Sequence, residues 1–324
     1  MAFPTSVTDI MATTIENRSK KVADNVTNNN AILKKLSMRG RQKSFSGGNV
    51  ILQEFSFAEN GNAGWYSGYD LLPVGAHDVI GAAEYNIRQA ACPVVISGLE
   101  ELQNSGKEQM IDLMESRLQV AESTMSNLIA ESLYSDGTAS SGKQLEGLEA
   151  ALPLANTTGT YGGVNRATYT FWRHQIQDAA NTSTMQADMN TLWASCTRGA
   201  DRPDLIMMDN TSWLAYLASL QAQQRFTSPE VGNLGFPTIK FMDADVCLDG
   251  GIYGFSRSGA ATGTAYFLNT NYLHWRPHAR RNMVPLSPNR RYATNQDAEV
   301  QILAFAGNLT SSGQKFQGRL DVNS

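Results

Sequence analysis

Residues 105–137 read SGKEQMIDLMESRLQVAESTMSNLIAESLYSDG. Ser105 stands three residues before Glu108, a capping-box spacing that satisfies the free N–H groups at a helix start. Apolar residues then recur at Ile111, Met114, Leu118, Ala121, Met125, Leu128 and Ile129. Intervals of three and four place them on one face, which predicts a helix over 106–134. At 1.5 Å per residue such a rod is about 40 Å long, and Ser135-Asp136-Gly137 ends it. A heptad coiled coil is the rival reading, but Ala121 and Met125 make a poor seam. One long helix laid across a sheet is expected.

Upstream, Val50-Ile51-Leu52-Gln53-Glu54-Phe55-Ser56-Phe57 has the β-branched and aromatic content of a strand,. Glu59-Asn60-Gly61-Asn62-Ala63-Gly64 breaks it. A second extended run covers about 79–91. Between them lies a Gly-rich segment tipped by Trp65, Tyr66 and Tyr69. This hairpin has too little sequence to build its own core and must lie on something else. Residues 1–49, with Lys20-Lys21, Lys34-Lys35 and Asn28-Asn29-Asn30, read as an extended arm with a helix across 16–37.

Downstream, 137–165 is rich in Gly, Ser, Thr and Asn. Helices are predicted over about 184–197 and 211–223, around the buried-strand pattern Leu205-Ile206-Met207-Met208. Further strands are predicted at 238–242, 246–248, 264–268 and 298–306. This mixed order gives an α+β class, not a doubly wound sheet.

The chain has 324 residues and a mass of 35.3 kDa, with 42% apolar and 17% charged residues. The first fraction excludes wholesale disorder; the second suits a surface that faces other protein copies. Net charge is −4, against a generally basic nucleic-acid coat,. Residues 1–50 carry net +5 and residues 51–151 net −11. This asymmetry fits opposite patches meeting on neighbouring copies, an arm facing an anion, or two solvated faces. Cys92, Cys196 and Cys247 form no disulfide or metal spacing, so a reducing compartment is expected. No leader or membrane-spanning run stands out.

Sites of chemistry are hard to find. Phosphate-loop, dinucleotide, GxSxG and HExxH patterns are absent,. His274 and His278 have helical ligand spacing, but Pro277 defeats a helix there. With Asp243 they define an alternative, a metal-dependent soluble hydrolase. Neither a catalytic residue nor a metal or cofactor is assigned. The densest basic feature is Arg276, Arg280, Arg281, Arg290 and Arg291, spaced by prolines. It fits a nucleic-acid backbone or an interface with the acidic middle segment, and the interface is favoured because no recognition helix accompanies it. Paired Glu100-Glu101 precedes the long helix. The expected intersubunit contacts are Trp65, Tyr66, Tyr69, Glu100, Glu101 and these five arginines.

The stretch Gly147-Leu148-Glu149-Ala150, then Thr160-Tyr161-Gly162-Gly163-Val164-Asn165-Arg166 and Phe171-Trp172-Arg173, resembles a run common in major capsid proteins of tailed double-stranded DNA bacteriophages. Arg202-Pro203-Asp204-Leu205-Ile206, the Arg-x-x-x-Pro segment at 281–285 and the closing strand also resemble that family. The resemblance covers about 45–320. It implies the HK97-type fold, with an N-terminal arm (1–49), an extended β-hairpin loop (50–91), a peripheral domain (92–165) whose spine helix is 106–134, an axial domain (166–290) and a return strand (291–324). The axial loops would come from turns such as 225–236 and 249–263. It also implies a subunit of pentamers and hexamers in an icosahedral shell, with a separate scaffolding protein, a portal at one vertex, packaged double-stranded DNA inside and an optional decoration protein. The location implied is the virion, after assembly in the host cytoplasm. No lysine lies between Lys43 and Lys107, so a shell-welding lysine–asparagine cross-link from the loop is not expected. An encapsulin-like nanocompartment shell is the runner-up, the metal-dependent hydrolase the second alternative, and a stand-alone nucleic-acid-binding protein the third.

Overall fold

The computed structural model describes residues 30–103, 107–179, 184–221, 238–250, 259–286, 291–292 and 298–322. Ser105, arm residues 1–29, the turn at 225–236, residues 251–258 of the turn at 249–263, and Arg290 lie outside the described residues, as do the side chains of Glu101, Ile111, Met114 and Arg291.

Helix α1 (Ala31–Met38) is capped by Asn30, whose side-chain oxygen accepts from the N–H groups of Ile32 (3.0 Å) and Leu33 (3.2 Å),. Ile32, Leu33 and Leu36 are buried in the main core, and Lys35 pairs with Asp245 at 2.7 Å. An eight-residue helix is marginal alone; here burial of its aliphatic face holds it. The expected arm is therefore, from Asn30 onward, part of the folded body.

β1 (Val50–Ser56) and β2 (Ile80–Asn86) pair antiparallel, from Val50↔Asn86 to Ser56↔Ile80. Ile51, Phe55, Ala83 and Tyr85 enter the core from one face. The expected second strand at 79–91 is two strands, because at Ile87 the partner changes. β3 (Arg88–Ser97) pairs not with β1 but with β14 (Ala298–Ser311) over ten residues, Arg88↔Gly307 to Ser97↔Ala298. The hairpin thus ends near residue 86.

After the short α2 (Gly98–Gln103), the predicted long helix is α3 (Lys107–Ser132), about 39 Å by its rise per residue,. Leu118 and Ala121 pack on Val94 of β3, and Met125, Ile129 and Leu133 continue the stripe into the main core. Leu128, expected on that stripe, is 40% exposed, because the buried spacing runs 121, 125, 129 and passes it by.

The turn α4 (Leu148–Ala151) and the two-residue pair β4 (Thr160–Tyr161) and β5 (Val164–Asn165) lead to a six-stranded mixed sheet. Its order is β6 (Gln175–Ala179), β15 (Gly318–Val322), β10 (Thr264–Leu268), β7 (Leu205–Met208), β9 (Ala244–Leu248), β8 (Thr238–Phe241). β7 is buried on both faces. Ile206 and Met208 meet α5 (Met185–Cys196) and α6 (Asn210–Gln221), while Leu205 and Met207 face the main core. This alternation explains the unbroken apolar run of β7.

β14 also carries β11 (Leu273–Pro277), β12 (Val284–Pro285) and β13 (Arg291–Tyr292) along its other edge. Sheet membership departs from the expected boundaries of 166–290 and 291–324. Residues 273–285 join β14, whereas 318–322 return to the six-stranded sheet. Turn signals mark where strands end, not which sheet takes them. Among the described residues no helix is long and apolar enough to cross a membrane.

Candidate functional site

The run from Gly147 to Arg173 is a mechanical joint. A Cβ on Gly147 would sit 2.4 Å from the Ser132 carbonyl oxygen and 2.5 Å from that of Leu133. Only glycine lets the chain approach closely enough for the Leu148 N–H to donate to Leu133 (2.7 Å),. Glu149 then accepts from Arg319 Nη1 at 2.7 and 2.8 Å and from the Tyr266 hydroxyl at 2.8 Å. Arg319 is buried and also donates to the Leu152 carbonyl. Buried Arg166 donates to the carbonyls of Ala150 and Ala151 at 2.9 and 2.7 Å. Gly162, at φ +58, accepts from the Glu84 N–H at 2.9 Å beneath the Tyr85 ring. Trp172 Nε1 donates to the Tyr161 carbonyl. Burial pushes the Tyr85 and Tyr161 hydroxyls well above the usual phenol range. Burial, with Arg166 nearby, pulls His174 down to about 3, and its Nε2 bonds to the Pro153 carbonyl. These groups bind the end of α3, the base of the hairpin and the six-stranded sheet into one unit. The arginines and glycines of this motif act on backbone, which explains their spacing without any reaction chemistry.

The surface is concentrated elsewhere. Residues 57–79 join β1 to β2, and Trp65 and Tyr69 are fully exposed, with Tyr66, Leu71, Leu72 and Val74 exposed beside them. Local bonds shape the loop: Asn62 Nδ2 donates to the Gly75 carbonyl and the Ser67 N–H to Asp70. These six side chains make the 57–79 loop the most exposed apolar stretch among the described residues. A shallow groove of about 350 Å³ between β3 and α3, lined by Cys92, Val94, Val95, Val120, Ala121 and Thr124, is a second apolar surface.

The charged candidates divide. Glu100 is engaged inside the subunit: Arg117 grips both carboxylate oxygens at 2.7 and 3.0 Å, and the Ser97 N–H adds a third bond. The Arg117 hydrogen bonds, then the Ser97 N–H, hold its carboxyl down at about 2. Arg280 and Arg281 are exposed, and Arg281 reaches Gln89 at 3.2 Å. Arg276 is half-buried on β11, and burial lowers its basicity. Members of the acidic middle segment pair within the chain, Glu146 with Arg88 and Glu149 with Arg319. The long-range partners Arg319 and Lys35 were missed in the sequence, because nothing local marks either.

The alternative metal residues do not come together. His274 lies in β11 and His278 just beyond it, against the Phe45 ring, while Asp243 sits at the β8–β9 turn in an ion pair with Arg202. Among the described residues no three His, Cys, Asp or Glu side chains are placed to hold a metal ion. Cys196 and Cys247 are free thiols, both pushed up to about 12 by burial.

The sequence matches no protein-family model. No curated protein matches it either. Solved structures do. The capsid asymmetric unit of cyanophage A-1(L) superposes with a TM-score of 0.66 at 16% identity, over 88% of this chain and 91% of that one. The capsid of a native GTA particle gives 0.58 at 13% identity, over 89% and 90%. The SrpI encapsulin of Synechococcus elongatus PCC 7942 gives 0.54 at 10% identity, over 89% and 87%. The α+β fold of this chain therefore resembles the HK97-like architecture of these capsid and encapsulin subunits.

Proposed function

We propose that this chain is the major capsid protein of a tailed double-stranded DNA bacteriophage, assembling through pentamers and hexamers into an icosahedral shell around the packaged genome. The observation that carries the reading is the likeness to the cyanophage A-1(L) capsid, which spans about nine-tenths of both chains. The exposed apolar loop supports it, since such a surface is suited to burial against another copy,. On this reading the hairpin lies across a neighbour, and the six-stranded sheet with its connecting loops gathers around the symmetry axes. A separate scaffolding protein guides assembly in the host cytoplasm, a portal occupies one vertex, and the function involves no turnover.

A second reading, an encapsulin-like compartment, is favoured by the likeness to SrpI. Negative-stain microscopy of the chain, expressed alone and with its neighbouring genes, tests both. Closed polyhedral shells, or sheets and tubes of hexamers, support a shell protein; nucleic acid inside then supports the phage reading and protein cargo the encapsulin one. A clean monomer or dimer in both samples overturns the shell assignment.

A further inference from the structure

Residues 41–45 run parallel to β11, with Gln42 opposite Trp275 and Phe45 opposite His278. The Lys43 N–H donates to the Trp275 carbonyl at 3.0 Å and the Trp275 N–H to the Arg41 carbonyl at 3.1 Å. Side chains alternate along a strand. Trp275 turns into the main core, so Arg41 and Lys43 share the opposite face with His274 and Arg276. Burial and the cations Arg41, Lys43 and Arg276 hold His274 down at about 4, so it is neutral at pH 7.

This concentration of charge is unanswered among the described residues. Among the described residues, Arg41, Lys43 and Arg276 have no carboxylate within ion-pairing distance. The Nε atoms of Arg41 and Arg276 and Nδ1 of His274 are buried without a hydrogen-bond partner. Like charges on adjacent strands repel unless an anion lies among them.

The complementary charge lies in the same sequence. Between Lys43 and Arg88 there is no lysine or arginine, but there are five carboxylates: Glu54, Glu59, Asp70, Asp78 and Glu84. Only Glu59 has an ion-pair partner among the described residues, Arg198. Asp70 and Asp78 are exposed on the 57–79 loop, and Asp70 is flanked by the exposed apolar residues Tyr69, Leu71 and Leu72. Opposite charges that do not meet within one chain can meet between two, and an apolar loop also needs cover that a polyanion does not give.

We infer that the face formed by Arg41, Lys43 and Arg276 receives Asp70 and Asp78 from the extended loop of a second copy. This rests on the shell reading and adds to it a particular seat, on the face that residues 41–45 share with β11 and not on α3. The partner of the 41–45 segment is then another copy of this chain, and not nucleic acid.

The test is a charge swap read by particle yield in the full-length protein. Lys43→Glu alone and Asp78→Lys alone are each expected to lower the yield of closed particles by about tenfold or more, and their combination to restore it to within about threefold. Both positions are exposed, and melting of the dissociated subunits checks that each variant folds. Independently, Lys43→Cys combined with Asp78→Cys is expected to give covalent dimers and longer ladders when assembled particles are oxidised. Wild-type yield from both single reversals overturns the inference, as does failure of the pair to recover together with failure to cross-link. A Lys43→Glu variant with normal particle yield but reduced nucleic-acid content assigns the face to nucleic acid and overturns it equally. In all these cases wild-type shells still form, whereas no shell from wild-type protein under any condition overturns the shell reading itself.

Discussion

Glu149→Gln removes the charge from the carboxylate that holds Arg319, the tie between the α4 turn and the six-stranded sheet. Arg319's side chain is 6% exposed and Glu149's 30% exposed, with oxygens 2.7 and 2.8 Å from Nη1. Stranding one partner of a buried pair costs about 3–5 kcal/mol. Glu149 is partly solvated and a glutamine oxygen still accepts from Arg319, so the expected loss is smaller, about 2–3 kcal/mol. At about 2 °C per kcal/mol for a chain of this size, Tm falls by about 4–6 °C. The measurement is calorimetry of dissociated subunits, with Arg198→Ala as the control. That residue's pair with Glu59 is 3.4 Å long and exposed on both sides, so its loss should cost less than about 1 kcal/mol. Replacing both Glu149 and Arg319 with Leu and Met should recover part of the stability, because an apolar pair needs no charge compensation. A Glu149→Gln subunit that melts within about 1 °C of wild type would refute the assignment of a structural tie here.

Other expectations are independent of that pair. Leu36→Ala should cost about 2–5 kcal/mol and lower the denaturant midpoint, because α1 is a core element,; an unchanged midpoint would restore the free arm. Trp65→Ala with Tyr69→Ala should leave subunit stability within about 0.5 kcal/mol but reduce particle yield,; normal yield would remove the loop tip from the interface. His274 and His174 are held at about 4 and about 3, below their ordinary value of 6.5. The unfolded chain therefore binds more protons between pH 6.5 and those values, so stability is complete above 6.5 and is lost as pH falls through the window. Thermal melts from pH 7 to 4 should show this slope, and His274→Gln should flatten its upper part; identical slopes would refute it. Gly147→Ala should cost about 1–3 kcal/mol by forcing α4 away from the end of α3,, and a neutral effect in chemical denaturation would refute the close approach.

The long helix, the buried β7 strand and the exposed aromatic loop were legible because each depends on local pattern: a 3–4 spacing, an apolar run, and aromatics among glycines. What escaped depends on distant partners. Nothing at Ile87 announces that β2 leaves β1 and becomes β3, since both halves are equally extended. Lys34-Lys35 suggested a basic arm, yet Lys35 is used against Asp245, 210 residues away. Glu149 and Arg319, 170 residues apart, carry no mutual signal. Among the candidate contacts, the loop aromatics are exposed, while Glu100 is held by Arg117, whose role only the packing of α3 on β3 reveals. The arginine group was visible as a charge cluster, but the alternation that joins Arg276 to Arg41 and Lys43 required the strand register.

β14 and β15 bear on biosynthesis. β14 is the shared central strand of one sheet, and β15 is the strand through which β6 joins the other. A nascent chain released before Ala298 has β3, β11, β12 and β13 without their common partner, and β6 with no neighbour. Such pairings close contacts of large sequence separation, so the subunit folds late and as a whole. Synthesis itself then acts as a checkpoint: prematurely terminated products lack the β14 sheet and the β6–β15 edge of the other, and their unpaired strands are left to proteolysis.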